Sequence, residues 1–125
     1  MPSQQQFVAL ALATAAEYLT STNHASVDLQ GYINPGGRNM KAILNVGSML
    51  GTTSVSFKMQ DNTTSATAGY ADITGATWTA VTTTVGAHQS IHFITNKRYV
   101  RAVSTFAADS SAVYGIELIA EARNA

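Results

Sequence analysis

The 125-residue sequence has no cysteine. That excludes disulfide scaffolds, zinc ribbons, thiol nucleophiles and thioredoxin-type chemistry, and leaves the redox compartment open. Charge is also scarce. Seven Lys and Arg and seven Asp and Glu make up 11% of the chain and sum to zero, against about 25% charged residues in an average soluble domain. Nucleic acid is excluded as a partner, because phosphate binding needs clustered Lys and Arg that release counterions. A neutral, charge-poor surface tends instead to associate. No apolar run approaches the ~20 residues of a membrane span. Residues 7–16 are apolar and Ala13-Thr14-Ala15 has the form of a signal-peptidase site, but residues 1–6 hold no Lys or Arg. The positive start of a signal peptide is therefore missing. Hydrophobic content is 46%, too high for a disordered tail. The length supports one core and one domain.

What remains is Ala, Thr, Ser and Val in alternation, with only two prolines. Thr and Val favour a pleated, half-buried surface, and period-two patterning marks the strands. Met40, Ala42, Leu44 and Val46 share one face. Val55, Phe57 and Met59 alternate with Ser54, Ser56, Lys58 and Gln60. Val100, Ala102 and Phe106 alternate with Tyr99, Arg101 and Thr105. Tyr114, Ile116, Leu118 and Ala120 alternate with Gly115, Glu117 and Glu121. Val27 with Leu29, and Ile91 with Phe93, give shorter runs. Breaks are expected at Asn34-Pro35-Gly36-Gly37, residues 47–53, residues 61–69, Thr74-Gly75, Val85-Gly86-Ala87 and residues 107–111. About eight short strands predict an antiparallel β-sandwich of jelly-roll type. Residues 4–19 suit a helix or an alternating strand. The all-β remainder favours an extended N-terminal arm or edge strand over residues 1–22, ahead of a sandwich domain at 23–125.

Little in the sequence points to chemistry. His88 and His92 have the spacing that chelates metal on a helix, but four residues along a strand separate side chains by about 13 Å. No metal is expected there. The seven carboxylates form no E-x-x-E or D-x-D pattern, and no nucleophile elbow, P-loop or dinucleotide fingerprint occurs. No catalytic residue and no cofactor are therefore expected. Gly36-Gly37 before Arg38 reads as a turn after Pro35 rather than an anion nest. Lys97, Arg98 and Arg101 form the densest positive group and suit docking on an acidic partner surface. Alternatively they are solvated, with Arg101 paired to Glu117 across neighbouring strands. Trp78, the sole tryptophan, reads as core; an exposed Trp78 would instead suit a carbohydrate-binding module.

Six strings carry a resemblance. They are Val27-Asp28-Leu29-Gln30-Gly31-Tyr32, Ala42-Ile43-Leu44-Asn45-Val46-Gly47, Val55-Ser56-Phe57-Lys58-Met59-Gln60-Asp61, Ile73-Thr74-Gly75-Ala76-Thr77-Trp78, Asn96-Lys97-Arg98-Tyr99-Val100-Arg101-Ala102-Val103 and the stretch 116–123. In this order they resemble small virion structural proteins of tailed bacteriophages and prophages, of the head-decoration or capsid-cement type. The resemblance spans residues 27–123, and Lys97 to Val103 is its most telling part. Family members commonly carry a more acidic loop where this chain has Asp61-Asn62-Thr63-Thr64, so no ion-binding role is carried over. The resemblance implies a non-enzymatic β-sandwich on the outer surface of the capsid. It implies a homo-oligomer, trimer or dimer, that cements neighbouring major capsid proteins without cofactor, nucleic acid or membrane. Candidate interface residues are then Phe7, Val8, Leu10 and Leu12 on the arm, with Lys97, Arg98 and Arg101. A tail or neck structural protein of the virion is the nearest alternative, and a carbohydrate-binding module a more distant one.

Overall fold

Among the described residues nine strands follow one another: β1 (Phe7–Tyr18), β2 (Thr22–Asn23), β3 (Val27–Asp28), β4 (Arg38–Leu50), β5 (Val55–Asn62), β6 (Ala71–Thr77), β7 (Val85–Thr95), β8 (Tyr99–Phe106) and β9 (Ser111–Glu121). This computed structural model describes residues 7–30, 38–50, 54–64, 68–82, 85–106 and 111–121. All pairings are antiparallel. One sheet has the order β1-β9-β4-β7. In the other, β2 and β3 both pair with β8, followed by β5 and β6. The chain thus passes back and forth between two sheets, and first and last strands lie side by side. This is the winding of a jelly roll, as the strand alternation predicted.

The alternation places the core as expected. Met40, Ala42, Leu44 and Val46 on β4 face Val55, Phe57 and Met59 on β5 across the sandwich, with Ile116, Leu118 and Val100 beside them, all buried. Phe57 and Tyr114 meet edge to face at 4.8 Å between ring centroids. Each such side chain contributes about 1.5–3 kcal/mol through burial. Truncating one, as in Leu44→Ala, is expected to cost about 2–5 kcal/mol because the sandwich closes only partly on the cavity.

Three expected breaks lie inside strands instead. Gly47 belongs to β4, where the pairing with β9 shifts register between Val46 and Ser48. Gly75 sits within β6 at φ 78°, beside a register shift between Lys58 and Gln60 on β5. A left-handed glycine there bends the strand without ending it. Val85-Gly86-Ala87 begins β7, pairing with β4. At Gly47 and Gly75 glycine marks irregular pairing rather than a turn, whereas around Gly86 the β4–β7 register is unbroken. The stretch Asn34-Pro35-Gly36-Gly37 lies outside the described residues.

Candidate assembly surfaces

β1 forms one edge of the first sheet. Among the described strands it pairs only with β9, from Phe7 opposite Glu121 to Tyr18 opposite Ala112. Register shifts fall between Ala11 and Ala13 and between Ala13 and Ala16. The backbones of Phe7 and Val8 lie in this pairing, while their side chains fall outside the described residues. Leu12 points into the core at 3% exposure, and Leu10 packs half-buried against it. Leu12 is therefore used by the sandwich itself and is closed to a neighbour. From residue 9 to residue 12 the side chains alternate as in a regular strand, with Ala9 and Ala11 exposed.

The cationic group is largely committed within the chain. Arg98 grips Asp28 with two bonds, Nε to Oδ1 at 2.9 Å and Nη2 to Oδ2 at 2.8 Å. This pair holds the Asp28 carboxyl below its usual range, chiefly through the hydrogen bonds from Arg98. Arg101 is not paired with Glu117, which lies on β9 in the other sheet. Its Nε and Nη2 instead donate to Gln60 Oε1 at 2.9 and 2.8 Å, and its guanidinium stacks 4.0 Å above the Tyr70 ring. Gln60 passes the chain on by donating to Asp72 Oδ1 at 2.8 Å, and Lys58 lies 3.0 Å from the same oxygen. Asp72 is accordingly held low, first by Gln60 and then by Lys58. Lys97 is exposed, and its side chain has no hydrogen-bond or ion-pair partner among the described residues.

The outer faces of the two sheets therefore differ. The β8-β5-β6 face is polar and cross-linked to itself. The β1-β9-β4 face carries a shallow groove of about 410 Å³ lined by Ala11, Ala15, Asn45, Gly47, Gly115 and Glu117, among others. His88 and His92 lie exposed on β7, and His88 Nδ1 bonds Asn45 Oδ1 at 2.6 Å. Among the described residues no three His, Cys, Asp or Glu side chains gather to hold a metal ion. Trp78 is 2% exposed, and its backbone N–H donates to the Phe57 carbonyl at 3.1 Å. It belongs to the core and forms no platform for a sugar.

His24 drew no attention in the sequence, yet it is the most specific polar feature of the interior. It sits where β2 gives way to β3. From Asn23 to Val27 the chain advances four residues, while the partner strand retreats three, from Val103 to Val100. The extra residue makes a bulge. His24 N–H continues the ladder to Ala102 C=O at 2.9 Å, and the imidazole is buried. Nε2 meets the Tyr114 hydroxyl at 2.7 Å, and that hydroxyl donates to Ser104 Oγ at 2.9 Å. Tyr18 packs against both rings, at 4.9 Å from His24 and 4.5 Å from Tyr114. Burial lowers the His24 pKa and pushes the Tyr114 hydroxyl up to about 12. The cluster joins both sheets at one end of the sandwich. A lone His and an alternating Tyr carry no motif, so only the bulge reveals it.

No family model and no curated protein sequence matches the chain. Solved structures do. One similar chain comes from Bacillus endospore appendages, described as a family of disulfide-linked pili; the identity is 10%, the TM-score 0.53, and the match covers 98% of this chain and 93% of that one. A chain in the structure of infectious bursal disease virus, Gx strain, matches at 7% identity and TM-score 0.54 over 97% of this chain. The present chain spans 32% of that viral chain. The tobacco streak virus coat protein matches at 13% identity with a TM-score of 0.41, too low to carry an argument. At such identities the likeness establishes the fold alone, an antiparallel jelly-roll sandwich. Lacking cysteine, this chain cannot share a disulfide linkage with the appendage protein.

Proposed function

We propose that this chain is a non-enzymatic structural protein of a virion that binds the outside of a phage capsid and holds neighbouring major capsid proteins together. The observation that carries the reading is the two-sheet winding, similar over 97% of the chain to part of a virus structure. Composition supports it. Many neutral copies packed side by side repel one another little. The strings quoted from residues 27–123 supply the phage and cement element of the proposal. A tail or neck position in the same particle uses the same features. A filament subunit is a second reading, favoured by the near-complete coverage of both this chain and the spore-appendage chain.

Electron microscopy of purified particles with antibody to this chain tests the proposal. Label spread over the capsid exterior is expected. Label confined to the tail, or particles free of label, overturns the cement reading. In a companion test, the purified protein should co-sediment with shells that lack it and raise their resistance to heat.

A further inference from the structure

The open edges of the two sheets are unequally protected. β2 and β3 are two residues each, and short edge strands offer little to pair with. At the opposite corner, Gln89 on β7 closes onto Thr79, just beyond β6. The Thr79 N–H donates to Gln89 Oε1 at 3.0 Å, and Gln89 Nε2 donates to the Thr79 carbonyl at 2.9 Å. That side-chain amide occupies backbone groups a docking strand would otherwise use. In β1 the stretch after Ala11 is broken by two register shifts, and the Tyr18 hydroxyl takes up the Thr14 carbonyl at 2.6 Å. Residues 7–11 remain in unbroken register with β9, and no described strand pairs with their outer side. They contain no proline and no charge, and the first charged residue of β1 is Glu17.

We propose that the outer edge of β1 over residues 7–11 is the contact between two copies of this chain. The two β1 strands pair antiparallel about a twofold axis and join two four-stranded sheets into one. Twofold pairing sets a strand against itself, so any charge on it would face its own kind. An uncharged edge with small exposed side chains, Ala9 and Ala11, is free of that conflict. The energy comes from backbone hydrogen bonds, which demand little of sequence. The dimer deepens the proposed structural role, since it would link the capsid-bound copies. It is nevertheless testable on the isolated protein.

Sedimentation velocity on the full chain should show a dimer that dissociates on dilution. The double variant Ala9→Lys with Ala11→Lys should raise the dissociation constant at least about tenfold, because like charges then oppose each other across the axis. The fold should survive, because both side chains are exposed and Lys at 11 lies opposite Glu117 on β9. Circular dichroism checks this. In a measurement that needs no variant, amide exchange over residues 7–11 of the native protein should slow as concentration rises. A monomer at every concentration overturns the proposal. So does a dimer indifferent to both lysines, or an open-ended polymer, which would mean head-to-tail contacts. If monomers bind shells, the dimer fails while the virion reading stands. If a β1-paired dimer forms but ignores shells, the reverse holds.

Discussion

His24 Nε2 lies 2.7 Å from the Tyr114 hydroxyl and joins the interrupted edge strand of one sheet to the last strand of the other. With that hydroxyl donating to Ser104, the tautomer that completes the network carries its proton on Nε2 and donates to Tyr114. The neutral imidazole satisfies this arrangement. A second proton, on Nδ1, puts a charge into a site faced by Tyr18 from β1, Tyr114 from β9 and Ser104 from β8. Loss of water is what lowers the His24 pKa.

Stability should therefore depend on mildly acid pH. With the folded pKa below 6.5, the unfolded chain binds more protons between that lower value and 6.5. Stability is full above 6.5 and falls as pH drops through that window. Asp28 and Asp72, both held low, add their losses only as pH falls through 3.8 and below. Urea unfolding at stepped pH should show a slope just below 6.5 in the native protein that is absent in His24→Gln. An unchanged slope in the variant would exclude His24 as its source.

The Tyr114 hydroxyl is the middle link of that network, so Tyr114→Phe leaves the buried His24 Nε2 without its partner, while Ser104 Oγ keeps the bond it accepts from the Thr22 N–H at 3.2 Å. The expected loss is about 1–3 kcal/mol, the cost of leaving buried polar atoms unpaired. The ring contacts with Phe57 and Tyr18 stay in place. Pairing Tyr114→Phe with His24→Phe removes both partners, so the double variant should lose less than the sum of the singles. Additive losses would show that the two side chains are not coupled.

The strands that alternate cleanly between apolar and polar residues were legible in the sequence, because a sandwich buries one face of each strand. Val55 to Met59 and Tyr114 to Ala120 needed nothing else. The glycines mislead because glycine serves a strand irregularity as well as a turn: Gly75 uses its positive φ for this, while Gly47 sits at a register shift without one. The partner of Arg101 was misassigned for a different reason. Alternation tells which face a residue takes but not which strand lies beside it, and β5 rather than β9 neighbours β8. The His24 cluster was hidden because it depends on a one-residue offset between distant segments. The open edge of β1 was only half visible. Its lack of charge could be read, but its register with β9 could not.

Arg98 and Arg101 belong to one cationic stretch of sequence, yet their surroundings make them behave differently. The Arg98–Asp28 pair is exposed, at 46% and 42% of the side chains. Solvent screens such pairs, so Arg98→Ala should barely move the thermal midpoint. Arg101 is half-buried between Gln60 and Tyr70, and Arg101→Ala should cost about 1 kcal/mol through the lost stacking and forked bond. Arg101→Lys should recover little of it, because an ammonium cannot stack as a plane. If Arg98→Ala abolished shell binding while leaving the midpoint unchanged, docking would be its role. Equal destabilisation by both alanine variants would contradict this difference between the two arginines.

Gly115 and Gly47 offer a test of how closely β1 is built into the sandwich. Both line the same groove, and both are strand glycines without a positive φ. A Cβ added at Gly115 would come 3.2 Å from Ala15 Cβ and 3.3 Å from Ala15 Cα. The second of these is backbone, so β1 itself must move. At Gly47 the nearest atoms are Val113 O at 3.7 Å and Val113 Cγ1 at 3.8 Å, an ordinary contact. Gly47→Ala should therefore be neutral or stabilising by up to about 1 kcal/mol, since alanine loses less backbone freedom on folding. Gly115→Ala meets the same entropy gain but must lift the bulged part of β1, and overpacking of this kind costs about 1–3 kcal/mol. Denaturant midpoints of the two variants give the difference. Amide exchange then locates it, since lifting β1 should speed exchange near Ala15 and leave the β4–β7 pairing unchanged. Equal midpoints would mean that β1 yields without cost and lies on the sandwich more loosely than its pairing with β9 implies.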